Sequence, residues 1–159
     1  MRWLDAVLAA RQTTIGVLLP FERAGRVHAL HHMLRSMAAV FEEDINQDAR
    51  ILPGRKVSVL TAQSGYEEPH VALSAVTQLY REAPEGTLIG WVGPFSTTAC
   101  PPTQDLIHGL AQPQISYGCQ SSALSNKRRY PVCAHFWPCL RDGSLALHFC
   151  LVTACGMLI

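Results

Sequence analysis

Three hydroxyls in a row, Ser96, Thr97 and Thr98, close the stretch WVGPFSTTA between Trp91 and Ala99, and they are the residues of this chain best suited to grip a small polar ligand. A hydroxyl both donates and accepts. Set where a strand hands over to a helix, such groups join the unpaired N–H groups and positive dipole end of the helix to hold a carboxylate or similar anion. The same residue types also cap helices for purely local reasons, and from spacing alone that plainer use is the favoured one. Pro101 and Pro102 are tolerated only in a first helical turn, so the helix is expected to begin near Cys100 and to leave the hydroxyls on a loop.

Other chemistry is less well supported. His31 and His32 are adjacent, and neighbours on a helix do not face one ligand as an i, i+4 pair does. His28 and His32 have that spacing but no visible third ligand, and His70, His108, His135 and His148 are scattered, so no metal site is expected. The six cysteines all fall at or beyond Cys100, with no C-x2-C pair; an even count suits disulfides in a secreted chain, and buried thiols suit it as well. Cys119 at a strand end lacks an identifiable base. The nucleotide-binding, phosphate-loop, nucleophile-elbow and zinc-protease motifs are all missing, which argues against catalysis and against a bound cofactor.

Composition sets the frame for these residues. The chain has 159 residues, about one domain, with 48% apolar and 16% charged residues and a formal net charge of +1. That excludes wholesale disorder, and the lack of basic excess argues against a nucleic-acid partner. MRWLDAVLAARQ at the amino end is interrupted by Asp5 and forms no clear signal peptide. Leu145 to Ile159 is almost wholly apolar but short of the roughly 20 residues that span a bilayer, and reads as a core helix, with a membrane segment as the lesser alternative.

The elements that must position the hydroxyls alternate regularly. TTIGVLLP (Thr13 to Pro20) has the aliphatic, β-branched character of a strand covered on both faces. Val27, Leu30, Leu34, Met37, Phe41 and Ile45 recur at three- and four-residue steps, predicting an amphipathic helix of about five turns with those residues inward. After the turn in ILPGRK, KVSVLTAQ predicts a second strand, and a helix follows from Glu67, Glu68 and Pro69 to about Glu82. TLIGWVG and PQISYG predict a third and a fourth strand, separated by a helical stretch around Asp105 to Leu110. This order predicts an α/β fold, a doubly wound parallel sheet with helices on both faces. Ligands of such sheets bind outside the carboxyl ends of the strands, where PFERAG, GPFSTTA and YGCQSSALS lie.

ILPGRKVSVLTAQSG, GTLIGWVGPFSTTA and PQISYGCQSSALSNKRRYPVCAHF, in that order and at that spacing, resemble the receptor family ligand-binding region. This is a type 1 periplasmic-binding-protein-like superfamily that includes metabotropic glutamate receptors, natriuretic peptide receptors and branched-chain amino-acid binding proteins. The resemblance runs from about Thr14 to Phe136. It implies a small-molecule ligand, an amino acid or related anion, held by hydroxyls and N–H groups, which makes Ser96, Thr97, Thr98, Gly118 and Ser121 the candidate contacts. Phe95, Gln120 and the Pro101–Pro102 pair depart from the family pattern and count against an ordinary α-amino acid. The resemblance further implies signal sensing without catalysis, a receptor homodimer, and a membrane-associated receptor acting on its extracellular side. Family domains have two lobes, so residues 1–12 are expected to be an extension, 13–140 a partial first lobe, and 141–159 an apolar helix cut short. Apolar surface left uncovered would then favour poor solubility or association. The alternative from fold alone is a flavodoxin-like α/β enzyme using its strand-end loops for a nucleotide or acyl substrate.

Overall fold

A computed structural model describes residues 12–135 apart from 21, 24, 25, 28, 120, 127, 131 and 132. The expected extension, the apolar C-terminal helix and Gln120 therefore lie outside the described residues, apart from Gln12 at the start of the first strand.

The aliphatic run after Gln12 forms β1 (Gln12–Leu19) and a short antiparallel pair follows, β2 (Glu22–Arg23) with β3 (Arg26–Val27). Helix α1 (Ala29–Gln47) leads to β4 (Lys56–Gln63), then α2 (Pro69–Glu82), β5 (Leu88–Val92), α3 (Cys100–Gly109) and β6 (Gln114–Ser116). A 3-10 turn (Ser122–Ser125) precedes β7 (Cys133–His135). The predicted start of the first helix is corrected: Val27 belongs to β3. The third helix begins at Cys100, as the two prolines require.

The five strands of the main sheet are joined by four parallel pairings, in the order β4-β1-β5-β6-β7. The chain winds outward from β1 to β4, then crosses back past β1 to β5 and continues to β7. The winding direction thus reverses between β1 and β5, and the crevice at their carboxyl ends is the natural ligand position of a doubly wound sheet. Right-handed crossovers place α1 on one face and α2 and α3 together on the other, where the two helices pack against each other.

The core lies beneath α2 and α3. Leu18, Ala62, Ala75, Val76, Leu79, Leu88, Trp91 and Ile107 form one buried cluster. Trp91 is its largest member, and its indole N–H donates to Gln112 Oε1 at 2.6 Å while the Gln112 amide donates to Leu88 O at 2.7 Å. A buried indole is thereby satisfied without water. Gly16, on the neighbouring strand, leaves room for that ring: a Cβ there would lie 2.6 Å from Trp91 Cε3.

Helix α1 is amphipathic but rotated relative to the expectation. Met37 and Phe41, expected inward, are exposed, and with Met33 and Val40 they make an apolar stripe on the outer surface. The cause is the edge of the sheet. Among the described residues β4 has no strand on its outer side, so its N–H groups there need partners. Asn46 supplies both halves of one pairing, donating to Val57 O and accepting from Val57 N–H at 2.8 Å each. Glu42 accepts from Val59 N–H at 2.8 Å. Turning Glu42 and Asn46 toward the strand carries Met37 and Phe41 outward.

Candidate functional site

Gly93 and Pro94 stop β5 at the crevice. Gly93 has a φ of 98°, and a Cβ there would stand 2.5 Å from Leu18 O, so neither the backbone angle nor the space admits a side chain. The Gly93–Pro94 peptide is cis. Beyond it, Phe95 and Ser96 turn along the ends of the strands before α3 begins.

The hydroxyls divide into roles. Ser96 is buried and shares a hydrogen bond of 2.7 Å with the Thr98 hydroxyl, while its oxygen also accepts from Thr98 N–H at 3.3 Å. Thr98 is exposed and reaches across to donate to Glu67 O at 3.2 Å. Thr97 is exposed at the apex of the same turn. None of them caps α3, whose N-cap residue is Ala99 with no side-chain cap.

One expectation is corrected here. The amino end of α3 does not present a set of unpaired amides. Cys100 N–H donates to Ser96 O and Thr103 N–H to Ala99 O, both at 3.1 Å, and Pro101 and Pro102 between them have no N–H. Any grip on a ligand at this end falls to the Ser96–Thr98 turn and its hydroxyls.

The loop after β6 comes up beside this turn. Gly118 is held against Phe95 so closely that a Cβ would lie 2.5 Å from Phe95 Cδ2 and 2.6 Å from Phe95 O. Tyr117 donates its phenol to Leu18 O at 2.8 Å, tying this loop to the end of β1; burial pushes the phenol well above its ordinary pKa, so it stays a donor. Ser121 is half-buried and opens the 3-10 turn. The structure therefore brings Ser96, Thr97, Thr98 and Gly118 together on one ledge, with Ser121 three residues further along its second loop.

The loop after β4, which sequence reasoning left out of the ligand edge, belongs to it. Tyr66 packs against Phe95 with ring centroids 5.7 Å apart, and Phe95 against Tyr117 at 6.1 Å, so three half-buried aromatic rings line the ledge. The Glu68 carboxylate accepts from Glu67 N–H at 3.0 Å and Tyr66 N–H at 2.9 Å, bonds that hold it below the usual carboxylate pKa. It is anionic at neutral pH. The signal for this loop was available: every strand of a parallel sheet ends at the same edge.

Two open grooves among the described residues lie elsewhere. An open groove of about 470 Å³ sits at the opposite, amino edge, lined by Tyr80, Pro84, Glu85, Leu88, Leu110 and Gln112. Another of about 520 Å³ runs along the outer face of α2 between Leu73 and Glu82. The groove along α2 includes the Ser74 and Thr77 hydroxyls, but neither groove is formed by the loops at the carboxyl ends of the strands. Among the described residues no group of three or more His, Cys, Asp or Glu is placed to hold a metal ion, and no helix is long and apolar enough to cross a membrane.

A parallel α/β lobe whose carboxyl edge carries hydroxyls, a glycine ledge and aromatic rings at the winding reversal is of the small-ligand-binding class. Residues 35–148 match the family described as the receptor family ligand binding region, and the chain belongs to that family. It is a ligand-binding receptor module. Comparison with curated protein sequences gives no significant match.

Proposed function

We propose that this chain, over residues 13–140, is the first lobe of a receptor's sensing domain and binds a small polar ligand, an amino acid or a related anion, on the ledge formed by Ser96, Thr97, Thr98, Gly118 and Ser121. The observation that carries this reading is the buried Ser96 hydroxyl paired with Thr98 at 2.7 Å, next in sequence to Phe95 against which Gly118 is packed, at the carboxyl edge where the sheet reverses its winding. Exposed Thr97 meets the ligand, and Ser96 sets the angle of the Thr98 hydroxyl. An opposing lobe closes over the ledge, and closure is the signal. The receptor is membrane-associated with this lobe on the extracellular side, acts as a homodimer and catalyses nothing. Membership in a receptor ligand-binding family supports the small-ligand and receptor parts of this reading.

The test is a titration of the isotopically labelled chain with free amino acids and small carboxylates, followed by NMR. Shifts gathered in residues 64–68, 93–99 and 117–121 are expected. Losing a hydrogen bond to a charged ligand costs about 1.5–3 kcal/mol, so Ser96→Ala combined with Thr97→Ala weakens binding by about tenfold or more. Shifts confined to the grooves along α2 and the amino edge, or an unchanged affinity in the double variant, would rule the ledge out.

A further inference from the structure

Beneath the ledge lies a pair of thiols that ligand binding does not use. Cys100 opens α3 and Cys119 follows Gly118 in the loop after β6; both are reduced and buried. Ser116 joins them. Its oxygen lies 3.3 Å from Cys100 Sγ, accepts from Cys119 N–H at 3.2 Å and, as a hydroxyl, donates to Pro94 O at 3.0 Å. Leu124 and Tyr130 close over the two sulfurs, and the four residues make one buried cluster separate from the main core. Cys100 and Cys119 are thus neighbours, held together by the fold although one opens a helix and the other lies in a loop.

We propose that Cys100 and Cys119 form an oxidisable dithiol that closes to an intramolecular disulfide, tying the first turn of α3 to the loop after β6. A pair serving only as packed apolar volume would need no polar partners. Here a hydroxyl faces one sulfur and holds the backbone of the other. A hydrogen bond from the Cys100 side chain, helped by Ser121 N–H, holds the Cys119 thiol below its ordinary pKa against the opposing effect of burial. Cys119 is accordingly the attacking group.

The oxidant is a small-molecule disulfide. Cys119 gives its proton to solvent, and its thiolate attacks one sulfur of the reagent, releasing the other half as a thiolate. Cys100 then loses its proton and attacks the Cys119 sulfur of the mixed disulfide, releasing the second half. Two S–H bonds are lost and one S–S bond forms in the protein; the reagent accepts two electrons and becomes two thiols. Cys119 is buried, so the reagent reaches it when its loop opens; Gly118 before it and Ser121 two residues after it are already half-exposed. Because Gly118 and the Ser96–Thr98 turn directly adjoin the two cysteines, oxidation fixes the spacing of the two loops that make the ledge. The pairing itself does not depend on the ligand reading.

The whole chain, equilibrated in glutathione buffers from fully reduced to fully oxidised, quenched in acid and alkylated while unfolded, tests this. No Lys or Arg lies between Arg81 and Lys127, so trypsin leaves Cys100 and Cys119 on one peptide, and a further cut before Asp105 separates them unless they are bonded. Expected are loss of two hydrogen masses from that peptide, persistence of the join after the second cut, and full reversal by dithiothreitol. Cys119→Ser should leave Cys100 alkylated in the same buffers, and hydrogen exchange over residues 117–121 should slow several-fold on oxidation. Recovery of both cysteines alkylated at the most oxidising ratio would overturn the proposal. So would recovery of Cys119 bonded chiefly to Cys133, Cys139, Cys150 or Cys155.

Discussion

Replacing Gly118 with alanine is the sharpest probe of how the ledge is assembled. The new methyl group would meet the Phe95 ring at 2.5 Å and the Phe95 carbonyl at 2.6 Å. A side-chain ring can swing away, but a carbonyl moves only with its backbone, and this one adjoins the turn that holds Ser96. Overpacking of this kind costs about 1–3 kcal/mol. With an m-value of about 2 kcal/mol/M in urea, a cost of about 2 kcal/mol lowers the unfolding midpoint by about 1 M. Repeating the change in a Phe95→Ala background separates the two contacts. The ring contact disappears while the carbonyl contact remains, so Gly118→Ala should cost about half as much there, measured by urea unfolding followed by circular dichroism. An unchanged midpoint for Gly118→Ala would refute the close approach. An equal cost in both backgrounds would refute the assignment of half the clash to the ring.

Two further outcomes follow from α1. Asn46→Ala removes both bonds to Val57 and should cost about 1–3 kcal/mol, whereas Asn46→Asp, which keeps the acceptor for Val57 N–H and loses the donor to Val57 O, should fall between Ala and the parent in urea unfolding. Met33→Lys with Met37→Lys, at side chains 50% and 58% exposed, should reduce concentration-dependent association seen by sedimentation velocity, and identical sedimentation of variant and parent would mean that the stripe is not adhesive.

Much of the architecture was legible because a sheet covered on both faces writes itself as short apolar runs. Thr13 to Pro20, KVSVLTAQ, TLIGWVG and PQISYG each fell on a strand, and the alternation with helices was enough for the doubly wound class. What escaped was whatever depends on a partner distant in sequence. The inward face of α1 could not be read from periodicity, because Glu42 and Asn46 turn inward to satisfy N–H groups of a strand edge that exists only after folding. β7, three residues long, carries too little alternation to be seen. The hydroxyls were found by type, yet their division into a buried Ser96 and exposed Thr97 and Thr98 depends on Glu67, from a different loop. The two prolines that marked the start of α3 also removed the donors first expected of it, so one observation supported the boundary and undercut the anion site built on it.

What the ledge offers a ligand is fixed geometry more than charge. Three strand ends are pinned to one another: Gly93 presses on Leu18 O, the Tyr117 phenol bonds that same carbonyl at 2.8 Å, and Gly118 is locked against Phe95. Thr98 then ties the hydroxyl turn to Glu67 beyond β4. Each tie removes a loop motion that a ligand would otherwise have to arrest on binding, and ordering one rotamer-rich side chain alone costs about 0.5–1.5 kcal/mol. On the proposed reading, a ledge open to solvent binds weakly until an opposing wall covers it, since solvent still reaches the ligand's far side. On that same reading its fixed shape makes the closing of the wall the step that depends on which ligand is present, the dependence that the proposed sensing role needs.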